Sequence, residues 1–324
     1  MTVSRAGQAS ESARRALVTG ALGFVGSHVV EHLLGLGWTV VGIDNLDETI
    51  RGPSRRVDFL NSLDDPGWSF HRASVSDFVG SSSPLDFDAV IHLAASVGLA
   101  ASWADPHGFR DNNAGETAAL VRAVRSSPRV RRVVHASTSS VYGRAAEGGE
   151  GQPLAPTSPY GTSKLEAEAL WTDDAELSQI TTVLRLFSVF GPRQRPDMLW
   201  SRVIDSALRG VPSRIFDDGL QSRTFTYVTD VAEVVCRAAE VSTPAGVFNI
   251  AGAEQVSVLE GVSVLEEVLG LPVAVVHEPV LAGDQRRTRG DSALAGRELG
   301  FAPRVSFRDG LAAQVEHQRA RALA

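Results

Sequence analysis

"TGALGFVG", residues 19–26, places Gly20, Gly23 and Gly26 behind a short apolar run, RALVT at 15–19, and at the head of an amphipathic stretch, VGSHVVEHLLGLG, which Gly35 and Gly37 stop. Strand, glycine turn and helix in that order make a dinucleotide site. The turn lets backbone approach a pyrophosphate, and the first amides of the helix meet its charge. Asp44 closes the next apolar run, WTVVGID, at about the 20-residue spacing expected of an acid that binds the adenosine ribose hydroxyls. A carboxylate there repels a 2′-phosphate, and IDNLDE has no arginine beside it, so NAD is expected rather than NADP; Arg51 is the basic residue near in sequence.

Outward from this unit the pattern repeats. WSFHRA (68–73), FDAVIHLAA (87–95), VRRVVHAS (130–137) and ITTVLRLF (180–187) are apolar runs, separated by segments of helical spacing such as 113–125 and 163–171. Alternating strands and helices predict an α/β fold with a Rossmann-type, doubly wound parallel sheet. Beyond Gly191, Pro192, Pro196, Pro212, Pro272, Pro279 and Pro303 punctuate shorter elements. The expected organisation is a mobile tail at 1–14, an NAD-binding Rossmann domain over 15–189 plus 228–251, and a smaller, interleaved substrate-binding domain over 190–227 plus 252–324.

Composition narrows the function. A formal net charge of -7 disfavours nucleic acid or an anionic membrane as partner, while leaving anionic small molecules open to local arginines. Cys236 is the single cysteine, which excludes an intrachain disulfide or a thiolate metal cluster and fits a cytoplasmic protein. The stretch ALVTGALGFVGSHVV lacks the unbroken apolar core of a signal peptide. No metal is expected: His28 and His32 stand four apart on the first helix without a third ligand, and packing explains them. The five tryptophans show no regular spacing and read as core or interface filling.

PYGTSK, residues 159–164, puts Tyr160 and Lys164 one helical turn apart, so both can face one cofactor. A phenol with a pKa of about 10 is a poor base at neutral pH, and a neighbouring ammonium would bring it toward the working range.

Together, TGALGFVG, HLAA (92–95), STSSVYG (137–143), PYGTSK and RLFSVFGPRQRPDM (185–198) resemble the extended short-chain dehydrogenase/reductases that act on nucleotide sugars, over about Ala16 to Leu311. The resemblance implies NAD held by Gly20, Gly23, Phe24, Val25, Gly26, Asp44, Asn45, Ser74, Val75, Leu93, Ala94 and Ala95, with Tyr160 and Lys164 beside it. Tyr160 would be the base, Lys164 its helper, and Thr138 the hydroxyl that bonds the reacting sugar oxygen. Arg223 and Arg286 match positions that hold the substrate diphosphate, with Arg287 a substitute for Arg286. A homodimer through a four-helix bundle of residues 110–126 and 159–175 is implied as well. The chain departs from the pattern at Ser74, where the family has an adenine-contacting acid, and at Glu116 and Asp217, where glycine is common. Neither Glu116 nor Asp217 is expected to touch the chemistry. Ser188 replaces an asparagine of many relatives.

Family dehydratases resemble TDE just before VYG, and uronate decarboxylases tend to carry a glutamate there. This chain has Thr138, Ser139 and Ser140, so both reactions are set aside in favour of epimerisation at C4. A C6 carboxylate removed from water needs several donors. Thr138, Ser139, Ser140 and Ser188 could supply them without adding negative charge, and together with Arg195 they resemble the UDP-glucuronate 4-epimerases. The alternatives are a UDP-glucose or TDP-glucose 4-epimerase, an NDP-4-keto-sugar reductase that consumes its cofactor, and a nucleotide-binding regulator without activity.

Overall fold

The computed structural model describes residues 14–46, 60–280 and 283–323. Of the expected tail, residues 1–13 lie outside the described residues, as does Arg51; the Arg14 guanidinium lies 4.4 Å over the Trp38 ring.

Seven strands form one parallel sheet: β1 (Arg15–Thr19), β2 (Thr39–Asp44), β3 (Trp68–Arg72), β4 (Ala89–His92), β5 (Arg132–Thr138), β6 (Thr181–Leu186) and β7 (Gly246–Ile250), in the order 3-2-1-4-5-6-7. The apolar runs read from the sequence supply six of them, and β7 falls in the stretch 228–251 assigned to the same domain. They lack strict alternation because both faces are covered. Ala16 and Val18 of β1 point into one apolar layer while Leu17, between them, points into the other, as the two-residue period of a strand requires.

The first layer lies under α1 (Phe24–Gly35), and the second under α2 (Val75–Ser82), α3 (Glu116–Arg125) and α4 (Pro159–Thr172). A later helix, α5 (Val228–Ala238), returns to cover α1 with Val231, Ala232, Val234 and Val235. The stretch expected to be helical from 113 begins as a π-helical turn at Asp111–Gly115 before α3 takes over.

The C-terminal part builds its own aromatic cluster from Phe190, Trp200, Phe225 and Phe307. A four-stranded sheet beside it draws strands from Gln255–Ser257, Ser222–Thr224, Arg287–Gly290 and Ala146–Gly148. Strand order reverses between β1 and β4, and in open α/β sheets a ligand crevice opens beyond the carboxyl ends of such a pair. Among the described residues no helix is long and apolar enough to cross a membrane.

Candidate active site

At the reversal point the backbone leaves no room for side chains. Gly20 has φ +66°, and a β-carbon there would stand 2.7 Å from the Ala94 amide nitrogen, on the segment that follows β4. A β-carbon on Gly23 or Gly26 would strike the Gly20 carbonyl oxygen, at 2.9 and 2.0 Å. The turn therefore exists only as glycine. It delivers α1 with an N-terminus capped by no side chain, whose first amides are open to an anion. Asp44, at the end of β2, is fixed to this turn: its Oδ2 accepts from the Leu22 amide at 3.2 Å and its Oδ1 from the Leu46 amide at 3.0 Å. Asn45, Ser74, Val75 and Leu93 to Ala95 line the same recess. These features fit a dinucleotide: a side-chain-free cradle for the pyrophosphate, and a carboxylate at the end of β2 for the ribose hydroxyls.

The recess opens into a cleft of about 370 Å³ that runs from Phe24, Val25 and Gly26 to the serines after β5. Tyr160 and Lys164 reach it from α4, whose start is set by Pro159 and by the Ser158 hydroxyl accepting from the Gly161 amide at 3.1 Å. Thr138 ends β5. Its hydroxyl accepts from the Ser140 amide at 3.2 Å, folding Ser139 and Ser140 into a 3₁₀ turn at the cleft wall. Ser188, Arg195, Met198 and Arg223 complete the far end.

Burial raises the pKa of the Tyr160 phenol, while a hydrogen bond from Thr138 and the charge of Arg195 pull it down. Thr138 and Arg195 thus stand at the cleft wall together with Lys164, the residue that the sequence set beside the phenol. Burial brings the Lys164 ammonium itself down to about 8, against the opposing pull of Glu168. Glu168 is buried one turn further along α4, paired with Arg185 and accepting from the Ser137 hydroxyl at 2.8 Å. Behind the site, His92 bridges two hydroxyls. Thr117 gives its proton to the Asn113 carbonyl, so His92 donates from Nε2 to Thr117 at 2.9 Å and accepts at Nδ1 from Thr19 at 2.7 Å. Asn113 then donates to the Ser163 hydroxyl at 2.9 Å, joining this chain of bonds to α4.

The two arginines in the cleft are each held by an acid. Arg195 grips Asp197 with two bonds, at 3.0 and 2.6 Å, and Arg223 meets Asp284 at 2.7 Å. Arg286 is not brought to the site. It is half exposed and pairs with Asp218, at 2.6 and 2.8 Å, and with Asp217 at 3.0 Å; Arg287 also turns outward, to Gln255 and Glu147. From that segment Asp284 and Gln285 face the cleft instead. Glu116, set aside in the sequence, lines the recess beside Ser74 and Asp44 together with Asn112 and Ser96. Its unusual place in NAGET was the one signal pointing to it. His28 is hydrogen-bonded to the Pro192 carbonyl at 2.9 Å, tying α1 to the loop after Phe190.

A parallel sheet with a glycine cradle at its reversal point, and a tyrosine and lysine one turn apart beside it, define a short-chain dehydrogenase/reductase. The chain belongs to the NAD dependent epimerase/dehydratase family, whose model matches residues 16–251, and is an enzyme of the nucleotide-sugar epimerase type. It is 35% identical, over 93% of its length and 96% of the other's, to a protein of Bacillus subtilis named as an uncharacterized UDP-glucose epimerase, YtcB. It is 32% identical to the UDP-glucose 4-epimerase of Mycolicibacterium smegmatis, over 94% and 98% of the two chains. Among solved structures, the UDP-glucuronic acid 4-epimerase of Bacillus cereus, in complex with UDP-glucuronic acid and NAD, superposes with a TM-score of 0.86 at 34% identity, over 95% of this chain and 99% of that one.

Proposed function

We propose that the enzyme inverts C4 of UDP-glucuronate to give UDP-galacturonate through a 4-keto intermediate. The observation that carries this reading is the cleft wall of Thr138, Ser139, Ser140 and Ser188: four hydroxyls and no acid among them. Tyr160 takes the proton of the C4 hydroxyl and later returns it, with Thr138 bonding the same oxygen and Lys164 beside it. NAD, held by the glycine turn and Asp44, would supply the acceptor and then the donor of the C4 hydride, the flattened sugar turning over in between. A carboxylate at C6, stripped of water, is satisfied by the serine hydroxyls without further negative charge. Holding it firmly also matters chemically, because a 4-keto-uronate is a β-keto acid that tends to lose carbon dioxide. Arg223 serves the diphosphate from inside the cleft.

A second reading, C4 epimerisation of UDP-glucose or TDP-glucose, draws support from the two relatives named for UDP-glucose. Incubation with UDP-glucuronate, UDP-glucose and TDP-glucose, with products identified by chromatography, separates the two. Conversion of the uronate at least ten times faster supports the proposal, and faster conversion of a neutral sugar overturns it. Net consumption of reduced cofactor would instead indicate a reductase.

Two copies are proposed to pair through the helices at 110–126 and 159–175. Within one copy these already lie side by side, Arg110 meeting Glu166 at 2.7 Å, and light scattering would give the mass.

A further inference from the structure

We infer that Glu116 reads the exocyclic amine of the adenine ring and is the residue by which this enzyme distinguishes its dinucleotide from purine analogues. With the pyrophosphate at the Gly20–Gly26 turn and the ribose at Asp44, the base occupies the end of the recess lined by Ala73, Ser74, Val75, Asn112 and Glu116. Adenine presents there an amine donor beside ring nitrogens that accept.

Among the described residues the recess has few groups to meet that donor. The Ser74 hydroxyl already accepts from the Asp77 amide at 3.0 Å as the cap of α2, and the Asn112 side chain, whose nitrogen donates to the Ser96 hydroxyl at 2.9 Å, is a neutral amide and a weaker acceptor than a carboxylate. The Glu116 carboxylate is different. Its Oε2 accepts from the Ser76 amide at 2.7 Å and its Oε1 from the Ser76 hydroxyl at 2.8 Å. A carboxylate has about four lone-pair positions, so two bonds hold it in place and acceptor capacity remains on each oxygen. A side chain already fixed loses little freedom when the base arrives. The two departures seen separately in the sequence, Ser74 and Glu116, thus meet at Ser76: the loop after β3 carries no acid, and the first residue of α3 supplies one.

This inference rests on the family's NAD dependence and not on the sugar proposed above. The full-length enzyme is incubated with an equimolar excess of NAD and nicotinamide hypoxanthine dinucleotide, which carries a carbonyl oxygen in place of the amine. It is then washed, and the retained dinucleotides are quantified by chromatography. The wild type should retain NAD in about 10-fold or greater excess, the weight of one misplaced hydrogen bond on a buried group. Glu116→Gln, whose amide can accept from the amine or donate to the carbonyl, should bring the preference close to unity. Glu116→Ala should bring the ratio within about twofold of unity and serves where the amide variant fails to fold. A wild-type ratio near one, or variants that lose both dinucleotides in equal proportion, would overturn the assignment and leave Glu116 as a brace for Ser76.

Discussion

Gly161 packs so closely on Ser140 that a β-carbon at residue 161 would lie 2.7 Å from the Ser140 carbonyl oxygen. This contact sets how near the first turn of α4, with Tyr160, comes to the end of β5, with Thr138. In Gly161→Ala the helix start must retreat, and a displacement of about 1 Å at a reacting group can cost 100-fold in rate. We expect kcat to fall by that order while NAD stays bound; unchanged turnover in steady-state assays would show that the contact does not position the tyrosine.

Tyr160→Phe removes the proposed proton carrier and keeps the ring, which meets Phe109 edge-on at 6.4 Å. Turnover should disappear with substrate affinity near normal, since the phenol acts in the transition state. Calorimetric titration and product assays on the same preparation check both halves, and appreciable turnover would remove Tyr160 as acid and base.

Ser139→Ala or Ser188→Ala should slow the uronate by about 10- to 100-fold, because a charged oxygen loses a donor, while a neutral hexose is hurt much less. The same variants should release UDP-4-keto-pentose and carbon dioxide, as a loosely held carboxylate reaches the geometry for decarboxylation. Equal losses on both substrates would mean that the serines only shape the 3₁₀ turn.

The two arginines drawn from the sequence part company. Arg223→Ala should weaken nucleotide-sugar binding by about 10-fold or more, as expected for a charged hydrogen bond in a cleft. Arg286→Ala should leave it within about twofold, because that guanidinium is spent on Asp217 and Asp218 at the surface. Equal weakening in the two variants, measured by titration, would contradict this division.

His92 gives a pH signature. Burial and the nearby Lys164 charge lower its pKa from 6.5 to about 3, so it is neutral in the native protein. Unfolding restores the ordinary value, so its contribution to stability is complete above pH 6.5 and is lost as pH falls from there toward 3. The loss runs at about 1.4 kcal/mol per pH unit across that window. Urea melts should show it, and His92→Gln should flatten the slope by about that amount. Parallel profiles would place the acid sensitivity elsewhere.

Most of the sheet and half of the site are legible in the sequence because they depend on near neighbours. RALVT becomes β1 residue for residue, and the tyrosine and lysine of PYGTSK share a helix face by spacing alone. Arg286 was out of reach for the opposite reason. Whether it faces the cleft or the solvent depends on Asp217 and Asp218, far away in the chain, and only the register of Arg287–Gly290 against Ser222–Thr224 decides which of consecutive residues point inward. The Glu116 and Ser76 pairing likewise crosses 40 residues without a local pattern. The acidity of Tyr160 could not be read either, since it turns on burial and on Arg195, a residue from another loop.

The covering of α1 by α5 bears on how the chain is made. The Cys236 thiol of α5 reaches the Val29 carbonyl of α1 across 207 positions, and β7, the last strand of the sheet, ends at Ile250. A ribosome that has released the first 190 residues has therefore issued the glycine turn, Asp44, Tyr160 and Lys164 but not the apolar side chains of α5 that cover α1. At about 5–20 residues per second the exposed face waits several seconds for its partner. During that interval the face of α1 that α5 will cover is available to any apolar surface nearby.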